Sequence, residues 1–376
     1  MIPFNVPPST GNEKKYVLSA MGSDILSGHG TFNLDCQRWF EKNLPCDRAL
    51  LTPSCTAALE FAAILLDIRK DDEIIMPSFT FPSTANAFAL RGARIVFIDV
   101  EPDTMNLNAE LIEPAITKKT KAIVPVHYAG AACDMEAIME ISKRHSLFVI
   151  EDAAQGMMSD FKGKALGTIG HLGTFSFHET KNYTSGGEGG LLLINDKKFI
   201  ERAEIIQEKG TNRSQFHRGQ IDKYQWVDIG SSFLLSEIQA AFLYGQLKDA
   251  EKIKRSRLES WNHYFEELIA LDETGKIDCP KIQRKSDHNA HIFHLKTKNI
   301  EERTNFMSYM KQKEISVAFH YVPLHSSKAG RKFSRFHGQD RFTTIESEKL
   351  VRLPLWHGMT ENDRCQVIDA VKSFFC

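Results

Sequence analysis

The sequence predicts an α/β protein with a large domain, built on a mainly parallel seven-stranded sheet, and a smaller C-terminal α+β domain. From about residue 48 to 195, short apolar segments alternate with segments of helical spacing. The apolar segments are nearly continuous, which is typical of parallel strands buried on both faces. A length of 376 residues suits two domains. We place them at 1–246, including an N-terminal arm, and at 247–376.

The predicted strands and helices follow in chain order. The seven strands of the large domain are 49–52, 73–76, 94–100, 122–127, 147–151, 173–177 and 190–194. In the smaller domain, a long helix over 247–271 precedes strands at 290–295 and 316–321 and helices at 303–312 and 361–375.

Composition and charge exclude several classes of protein. The net charge of -1 gives no electrostatic footprint for nucleic acid, so we expect no nucleic-acid partner. No segment reaches the ~18 apolar residues of a membrane span, and the first residues lack a signal-peptide pattern, so we expect a cytoplasmic protein without a membrane partner. The seven cysteines form no CxxC pair, which argues against a metal site or a disulfide framework.

The first candidate binding element is the segment TPSCT, residues 52–56, between a strand and a helix. Its backbone N–H groups and the positive end of the helix dipole would hold a phosphate well. An ordinary helix cap formed by Ser54 or Thr56 explains the segment equally well.

Two charged residues lie just beyond other predicted strands. Asp152 leaves the strand 147–151, and a carboxylate at a buried strand end needs a cationic partner unless it merely caps the next helix. Lys181 lies between the strand 173–177 and a loop with four glycines in five residues, 186–190. A lysine in a desolvated pocket can form a Schiff base, and glycines let the backbone come close to a ligand.

Together these groups match one cofactor. Pyridoxal 5'-phosphate needs a phosphate seat, an aromatic plate, a carboxylate for its protonated ring nitrogen and a lysine for its aldehyde. A dinucleotide-binding oxidoreductase is disfavoured because residues 52–56 contain no glycine.

The motifs carry a resemblance that covers most of the chain. The stretches LLTPSCTAALE, VIEDAAQG, FSFHETKNYTSGGEGG and EKGTNRSQF are similar to those of the DegT/DnrJ/EryC1/StrS sugar aminotransferases. This family implies a fold-type I, pyridoxal-phosphate-dependent aminotransferase. Within it, the resemblance is closest to the branch that makes dTDP-4-amino-4,6-dideoxy-D-galactose for enterobacterial common antigen.

The resemblance implies roles for the cofactor site. Lys181 would hold the cofactor as a Schiff base and then move the proton as base and acid. The remaining cofactor contacts it implies are Asp152 at the ring nitrogen, Gln155 at the ring hydroxyl, Cys55, Thr56 and Ser176 at the phosphate, and Phe81 on the ring face. Phe81 could also be an ordinary core residue.

Substrate contacts and a homodimer with sites at the subunit interface are implied in the same way. Many family members carry Gly-x-Asn-x-Arg, whereas this chain has Ser232 in place of Asn and Leu234 in place of Arg. This leaves the cross-subunit phosphate contact open. Arg213, Arg218 and Lys223 lie in a segment that reads equally well as an arm toward the neighbour's diphosphate or as a solvated loop. The other expected substrate contacts are His178, Glu179, His320, Tyr321 and His325.

The implied reaction moves the amino group of L-glutamate to C4 of dTDP-4-dehydro-6-deoxy-D-glucose. A lysine at position 181 argues against the dehydratase relatives, which have histidine there. The gluco product, dTDP-4-amino-4,6-dideoxy-D-glucose, remains the nearest alternative, and a cofactor-bound regulator without turnover is a third reading.

Overall fold

The structure is a computed structural model and describes residues 1–283 and 285–376. The strands of the described chain are β1 (Arg48–Thr52), β2 (Glu73–Pro77), β3 (Arg94–Ile98), β4 (Thr120–Ile123), β5 (Phe148–Asp152), β6 (Asp160–Phe161), β7 (Lys164–Ala165), β8 (Leu172–Ser176), β9 (Gly190–Ile194), β10 (Ser286–Asp287), β11 (His294–Lys296), β12 (Ala318–Phe319), β13 (Ser334–Phe336) and β14 (Leu350–Arg352).

The α-helices of the same residues are α1 (Glu13–Met21), α2 (Thr31–Asn43), α3 (Cys55–Leu65), α4 (Pro82–Ala89), α5 (Ile112–Ala115), α6 (Met135–His145), α7 (Ile200–Gln207), α8 (Arg213–His217), α9 (Glu237–Leu247), α10 (Ala250–Glu273), α11 (Ile300–Gln312), α12 (Lys328–Phe333), α13 (Thr343–Lys349) and α14 (Glu361–Phe375). No helix of the described residues combines the length and the apolar character needed to cross a membrane.

The large sheet has the order β1-β9-β8-β5-β4-β2-β3-β13. Strand β9 runs antiparallel to both of its neighbours, and the other neighbouring pairs are parallel. The carboxyl ends of β1, β2, β5 and β8 therefore meet at one edge. The sheet contains the seven predicted strands and an eighth, β13, which the C-terminal part of the chain adds at the edge.

Successive side chains of each strand enter two different cores, which explains why the strands are apolar throughout. In β9, Leu191 and Leu193 join one cluster, and Leu192 and Ile194 join the other. Residues of α2, α6 and α9 cover the first face of the sheet, and residues of α3, α4 and α7 cover the second. Helices on both faces make this a three-layer α/β unit.

The C-terminal part of the chain forms a second core around a three-stranded sheet of order β11-β14-β12. The middle strand, β14, was not predicted, and the predicted strands at 290–295 and 316–321 are shortened to β11 and β12. The predicted helix over 247–271 is the end of α9 followed by α10. Helix α10 spans both cores, since Ile253 packs in the first and Tyr264 in the second. The division at residue 246 stays a prediction.

A buried carboxylate fastens the C-terminal chain to the large sheet. Asp99, just past β3, is 2% exposed and accepts hydrogen bonds from the backbone N–H groups of Arg341, Phe342 and Thr343 at 2.8–3.0 Å. The Thr343 hydroxyl also donates to it, at 2.6 Å. Backbone donors here take the place of a cationic partner.

We predict that Asp99→Ala lowers the free energy of unfolding by about 2–4 kcal/mol, because several buried N–H groups lose their acceptor. Urea denaturation followed by circular dichroism measures the change. Asp103→Ala is the control, because Asp103 is exposed and its carboxylate pairs with Lys281 at the surface. It should cost less than about 1 kcal/mol. Equal losses in the two variants would contradict the role assigned to Asp99.

Candidate active site

A cavity of about 930 Å³ opens at the edge where the carboxyl ends of the parallel strands meet. Its walls come from both parts of the chain. The predicted site residues that line it are Cys55, Thr56, Phe81, Asp152, Gln155, Ser176, His178, Lys181, His320 and Tyr321. Ligand sites of α/β proteins commonly lie at this edge of the sheet.

Asp152, the last residue of β5, places a buried carboxylate in the cavity wall. It is 5% exposed and accepts hydrogen bonds from the Thr84 hydroxyl at 2.7 Å and from the backbone N–H of Ala154 at 3.2 Å. Among the described residues, no lysine, arginine or histidine lies within ion-pairing distance of it. A buried carboxylate in this state favours a cationic ligand.

The main chain on either side of Lys181 is held firmly. Its own N–H donates to the carbonyl of His178 at 2.9 Å. The next three residues are buried and bonded: Asn182 donates to the carbonyl of Asn289, the Tyr183 hydroxyl to that of Ala250, and the N–H of Thr184 to Gln246. These hydrogen bonds fix the backbone that carries Lys181, whose side chain lines the cavity.

The amine of Lys181 makes no hydrogen bond or ion pair with any residue in the described part of the chain. Burial lowers its pKa, and the charge of Arg352 lowers it further, whereas the carboxylate of Asp152 raises it. A lysine whose amine is free and whose pKa is lowered can act as a nucleophile or as a base.

The glycines of the loop 186–190 allow the start of β9 to lie directly against the start of α3, beside Lys181. Gly186 and Gly187 have φ values of 78° and 139°, which side chains rarely tolerate. At Gly190 a Cβ would lie 2.4 Å from the backbone nitrogen of Cys55. Glycine at 190 is therefore required for β9 to pass directly against the start of α3.

The N-terminus of α3 offers donors to an anion. Ser54 caps the helix by accepting from the N–H of Ala57 at 3.1 Å, so the predicted cap at Ser54 is present. No described residue accepts from the N–H groups of Cys55 and Thr56. Burial raises the pKa of the Cys55 thiol, which keeps that side chain neutral. The N–H groups, together with the nearby Ser176 hydroxyl, make a seat for a phosphate.

An aromatic wall faces these groups. Phe81 is 59% exposed although it lines the cavity, and its ring lies 6.4 Å from that of Tyr321. The Tyr321 hydroxyl accepts from the amide of Gln155 at 3.1 Å, and the His320 ring stacks on Tyr321 at 3.8 Å. Burial lowers the pKa of His320 well below its usual value, and the charges of Arg352 and Lys181 add to this effect.

The remaining predicted residues lie outside the cavity of this chain. Glu179 and Ser232 are exposed, as are Arg213, Arg218 and Lys223. Arg218 pairs with Glu204 at 2.7 Å. The ring nitrogens of His325 contact the Ser78 hydroxyl at 2.8 Å and the Asp340 carboxylate at 3.2 Å. His325 thus ties its segment to the residue that follows β2, and its predicted contact with substrate has no geometric support in this chain.

Three further residues at the cavity were not identified from the sequence. Thr84 holds Asp152, but a threonine in the first turn of a helix carries no signal of such a contact. His291 lines the cavity and bonds to Asn182 at 2.8 Å. Arg352 lines it from β14, and its one signal was a cation inside the apolar stretch 350–355, LVRLPL.

The donor set fits pyridoxal 5'-phosphate. The free N–H groups of Cys55 and Thr56 suit its phosphate. The buried carboxylate of Asp152 suits a protonated ring nitrogen, and Phe81 supplies an exposed aromatic face. The free amine of Lys181 suits its aldehyde. All four groups face one cavity.

The chain is similar to known aminotransferases along almost its whole length. Residues 8–372 match the DegT/DnrJ/EryC1/StrS aminotransferase family. An uncharacterized protein of Methanocaldococcus jannaschii is 35% identical over 97% of this chain and 95% of its own. The GDP-perosamine synthase of Escherichia coli O157:H7 is 32% identical over 86% of each chain.

The fold matches solved structures of the same kind. The S. venezuelae protein DesV, solved in complex with a ketimine intermediate, superposes with a TM-score of 0.90 at 26% identity, covering 100% of this chain and 98% of its own. This confirms the predicted fold class and cofactor. The narrower resemblance, to enzymes that make dTDP-4-amino-4,6-dideoxy-D-galactose, stays a prediction, since the named relative above is a GDP-perosamine synthase. The chain belongs to the DegT/DnrJ/EryC1/StrS aminotransferase family, whose enzymes depend on pyridoxal 5'-phosphate.

Proposed function

We propose that the protein transfers the amino group of L-glutamate to C4 of dTDP-4-dehydro-6-deoxy-D-glucose, giving dTDP-4-amino-4,6-dideoxy-D-galactose and 2-oxoglutarate. The observation that carries the aminotransferase assignment is the pair formed by Lys181 and Asp152. Both charged groups line one cavity, and neither pairs with a described residue of opposite charge. The sugar and the donor rest on the resemblance to the family.

Asp152, Thr84 and Lys181 have different roles in the proposed reaction. Bound pyridoxal 5'-phosphate supplies an electron sink that stabilises negative charge on the carbon being deprotonated. Asp152 keeps a positive charge on the ring nitrogen, and Thr84 holds Asp152 in place through its 2.7 Å hydrogen bond. Lys181 moves the proton, and its lowered pKa leaves more of the neutral amine available as a base.

The acceptor enters a cavity at the upper end of the usual size for small-molecule sites, roughly 300–1,000 Å³. Neutral donors and acceptors suit a hexose, and His320 with its lowered pKa is one of them. A GDP-linked keto-sugar is the second acceptor class to test, because one relative bears the name GDP-perosamine synthase.

We also propose that the chain forms a homodimer. The nucleotide of the substrate would then contact the second subunit. The segment 211–226, with Arg213, Arg218 and Lys223, ends in an exposed Trp226, and Val227 and Ile229 beyond it are also exposed. Basic side chains beside exposed apolar ones suit a subunit contact that also reaches a diphosphate. Ser232 then stands near this contact in place of the usual asparagine.

One prediction of this proposal concerns the product and the nucleophile. Purified holoenzyme with L-glutamate and dTDP-4-dehydro-6-deoxy-D-glucose should yield an axial amine at C4, assigned from proton couplings. Lys181→Ala should lower the transfer rate by roughly 1,000-fold or more, because both the nucleophile and the base are lost. Lys197→Ala is the control, since that lysine is 82% exposed, and it should retain full activity.

Other outcomes of this assay have definite meanings. An equatorial amine would assign the gluco product instead. Amine made only from a GDP-linked keto-sugar would replace the dTDP-sugar with a GDP-sugar. A bound cofactor without transfer to either acceptor would favour another keto-sugar or the regulator.

Another prediction of this proposal concerns Asp152. Asp152→Asn should slow transfer by roughly 100-fold or more, because the amide cannot stabilise a positive charge on the ring nitrogen. Thr84→Val removes one hydrogen bond to that carboxylate and should cost roughly 10-fold. Single-turnover absorbance with L-glutamate measures both rates. Wild-type rates in Asp152→Asn would refute the assignment.

A further inference from the structure

Arg352 is a cation that has no hydrogen-bond or ion-pair partner among the described residues. Its guanidinium makes no hydrogen bond or ion pair with a described residue, and its Nε is buried and unpartnered. Three other arginines in the described chain also have an unpartnered buried Nε. Arg48 and Arg364 form ion pairs, and Arg303 donates to the carbonyl of Ser347. Arg352 alone among these four has nothing to donate to.

The arginine is held on a fixed strand and opens into the cavity. It ends β14, the middle strand of its sheet, and pairs in register with His294 of β11 and Ala318 of β12. Its guanidinium lies 4.5 Å from the centre of the Phe4 ring. A cation–π contact of this kind uses none of the guanidinium N–H groups as hydrogen-bond donors, so they stay free for a ligand.

The surroundings of Arg352 lack negative charge. Its charge reaches Lys181, His291, His320 and His294, and lowers the pKa of each. The remaining titratable neighbours are the hydroxyl groups of Tyr128 and Tyr321. The carboxylates among the residues that line the cavity are Asp152 and Glu188, and Asp152 is assigned above to the cofactor ring. A half-buried arginine with a buried, unpartnered Nε in such surroundings favours an anion from outside the chain.

We propose that Arg352 binds the α-carboxylate of the amino-acid donor through a bidentate pair. This inference rests on the proposed aminotransfer and names the donor-recognition residue of the same site. The donor's α-carboxylate is bonded to the carbon whose amine reacts beside Lys181, so it must lie near that lysine. The diphosphate of a sugar nucleotide is attached to C1, across the sugar ring from C4. It therefore lies farther from Lys181 than the donor's α-carboxylate does. An arginine that lines the same cavity as Lys181 therefore suits the carboxylate, and its fork matches both oxygens.

The two half-reactions test this separately. In Arg352→Gln holoenzyme, the concentration of L-glutamate needed for half-maximal conversion of the cofactor to its amine form should rise by at least about 30-fold. With the amine form prepared in advance, the reaction with keto-sugar nucleotide should change by less than about 3-fold. Arg303→Gln is the matched control, because Arg303 also lies over an aromatic ring, that of Phe319, but outside the cavity. It should match the wild type in both half-reactions.

Binding without chemistry provides a second readout. Titration calorimetry of the holoenzyme with glutarate, a dicarboxylate without an amine, should show the same loss of affinity in Arg352→Gln. Arg352→Lys keeps the positive charge but cannot form a bidentate pair, so it should recover only part of the glutarate affinity. If wild-type enzyme does not react with L-glutamate but the glutarate affinity still falls in Arg352→Gln, the proposed donor fails and the carboxylate site stands.

Two outcomes would overturn the inference. One is unchanged glutamate conversion and glutarate affinity in Arg352→Gln. The other is a loss confined to the sugar-nucleotide half-reaction, which would assign Arg352 to the diphosphate.

Discussion

The carboxylate of Asp152 is buried without a cation, and the arrangement of the site depends on this one unmet charge. Two hydrogen-bond donors offset only part of the cost of burying this charge, so a cationic group on a ligand would stabilise the site. The Thr84 hydroxyl and the N–H of Ala154 hold the carboxylate at the end of β5. Because β5 is a central strand with parallel neighbours on both sides, this position is rigid. The free amine of Lys181 is fixed in the same way, by buried residues that follow it.

Other buried carboxylates of the protein show what a structural role looks like. Glu151, the residue before Asp152, is fully buried and accepts from the N–H groups of Gly167, Ile169 and Gly170 at 2.6–2.8 Å. It also accepts from Nε2 of His127, whose Nδ1 accepts from the N–H of Cys133. Adjacent carboxylates on one strand thus point to opposite faces, and only the one at the cavity lacks such a set of donors. This contrast separates a binding group from a structural one.

The sequence predicted the large sheet well because its strands are nearly continuous apolar segments between amphipathic helices. It failed at β13 and β14, three-residue strands whose pairing depends on distant parts of the chain, and at the two-residue strands β6, β7 and β10, which form a small separate sheet. Lys181 and Asp152 were identifiable because charged residues at the ends of apolar strands are unusual. Thr84 and His291 were not, since their role arises from contacts that no local pattern encodes. His325 was predicted to bind substrate because of its motif, whereas its ring contacts Ser78 and Asp340.

The site combines two parts of the chain with different tasks. The strands and helix of the large sheet supply the phosphate seat, the carboxylate and the lysine. The small sheet supplies Arg352, and the N-terminal segment supplies Phe4 against it, where Ile2 pairs with Ile315. Asp99 and β13 fasten the C-terminal chain to the large sheet. Because an arginine fork must meet a carboxylate within hydrogen-bonding distance, this fastening sets the spacing between Arg352 and Lys181. If Arg352 binds the amino donor as proposed, contacts far from the cavity contribute to recognition of that donor.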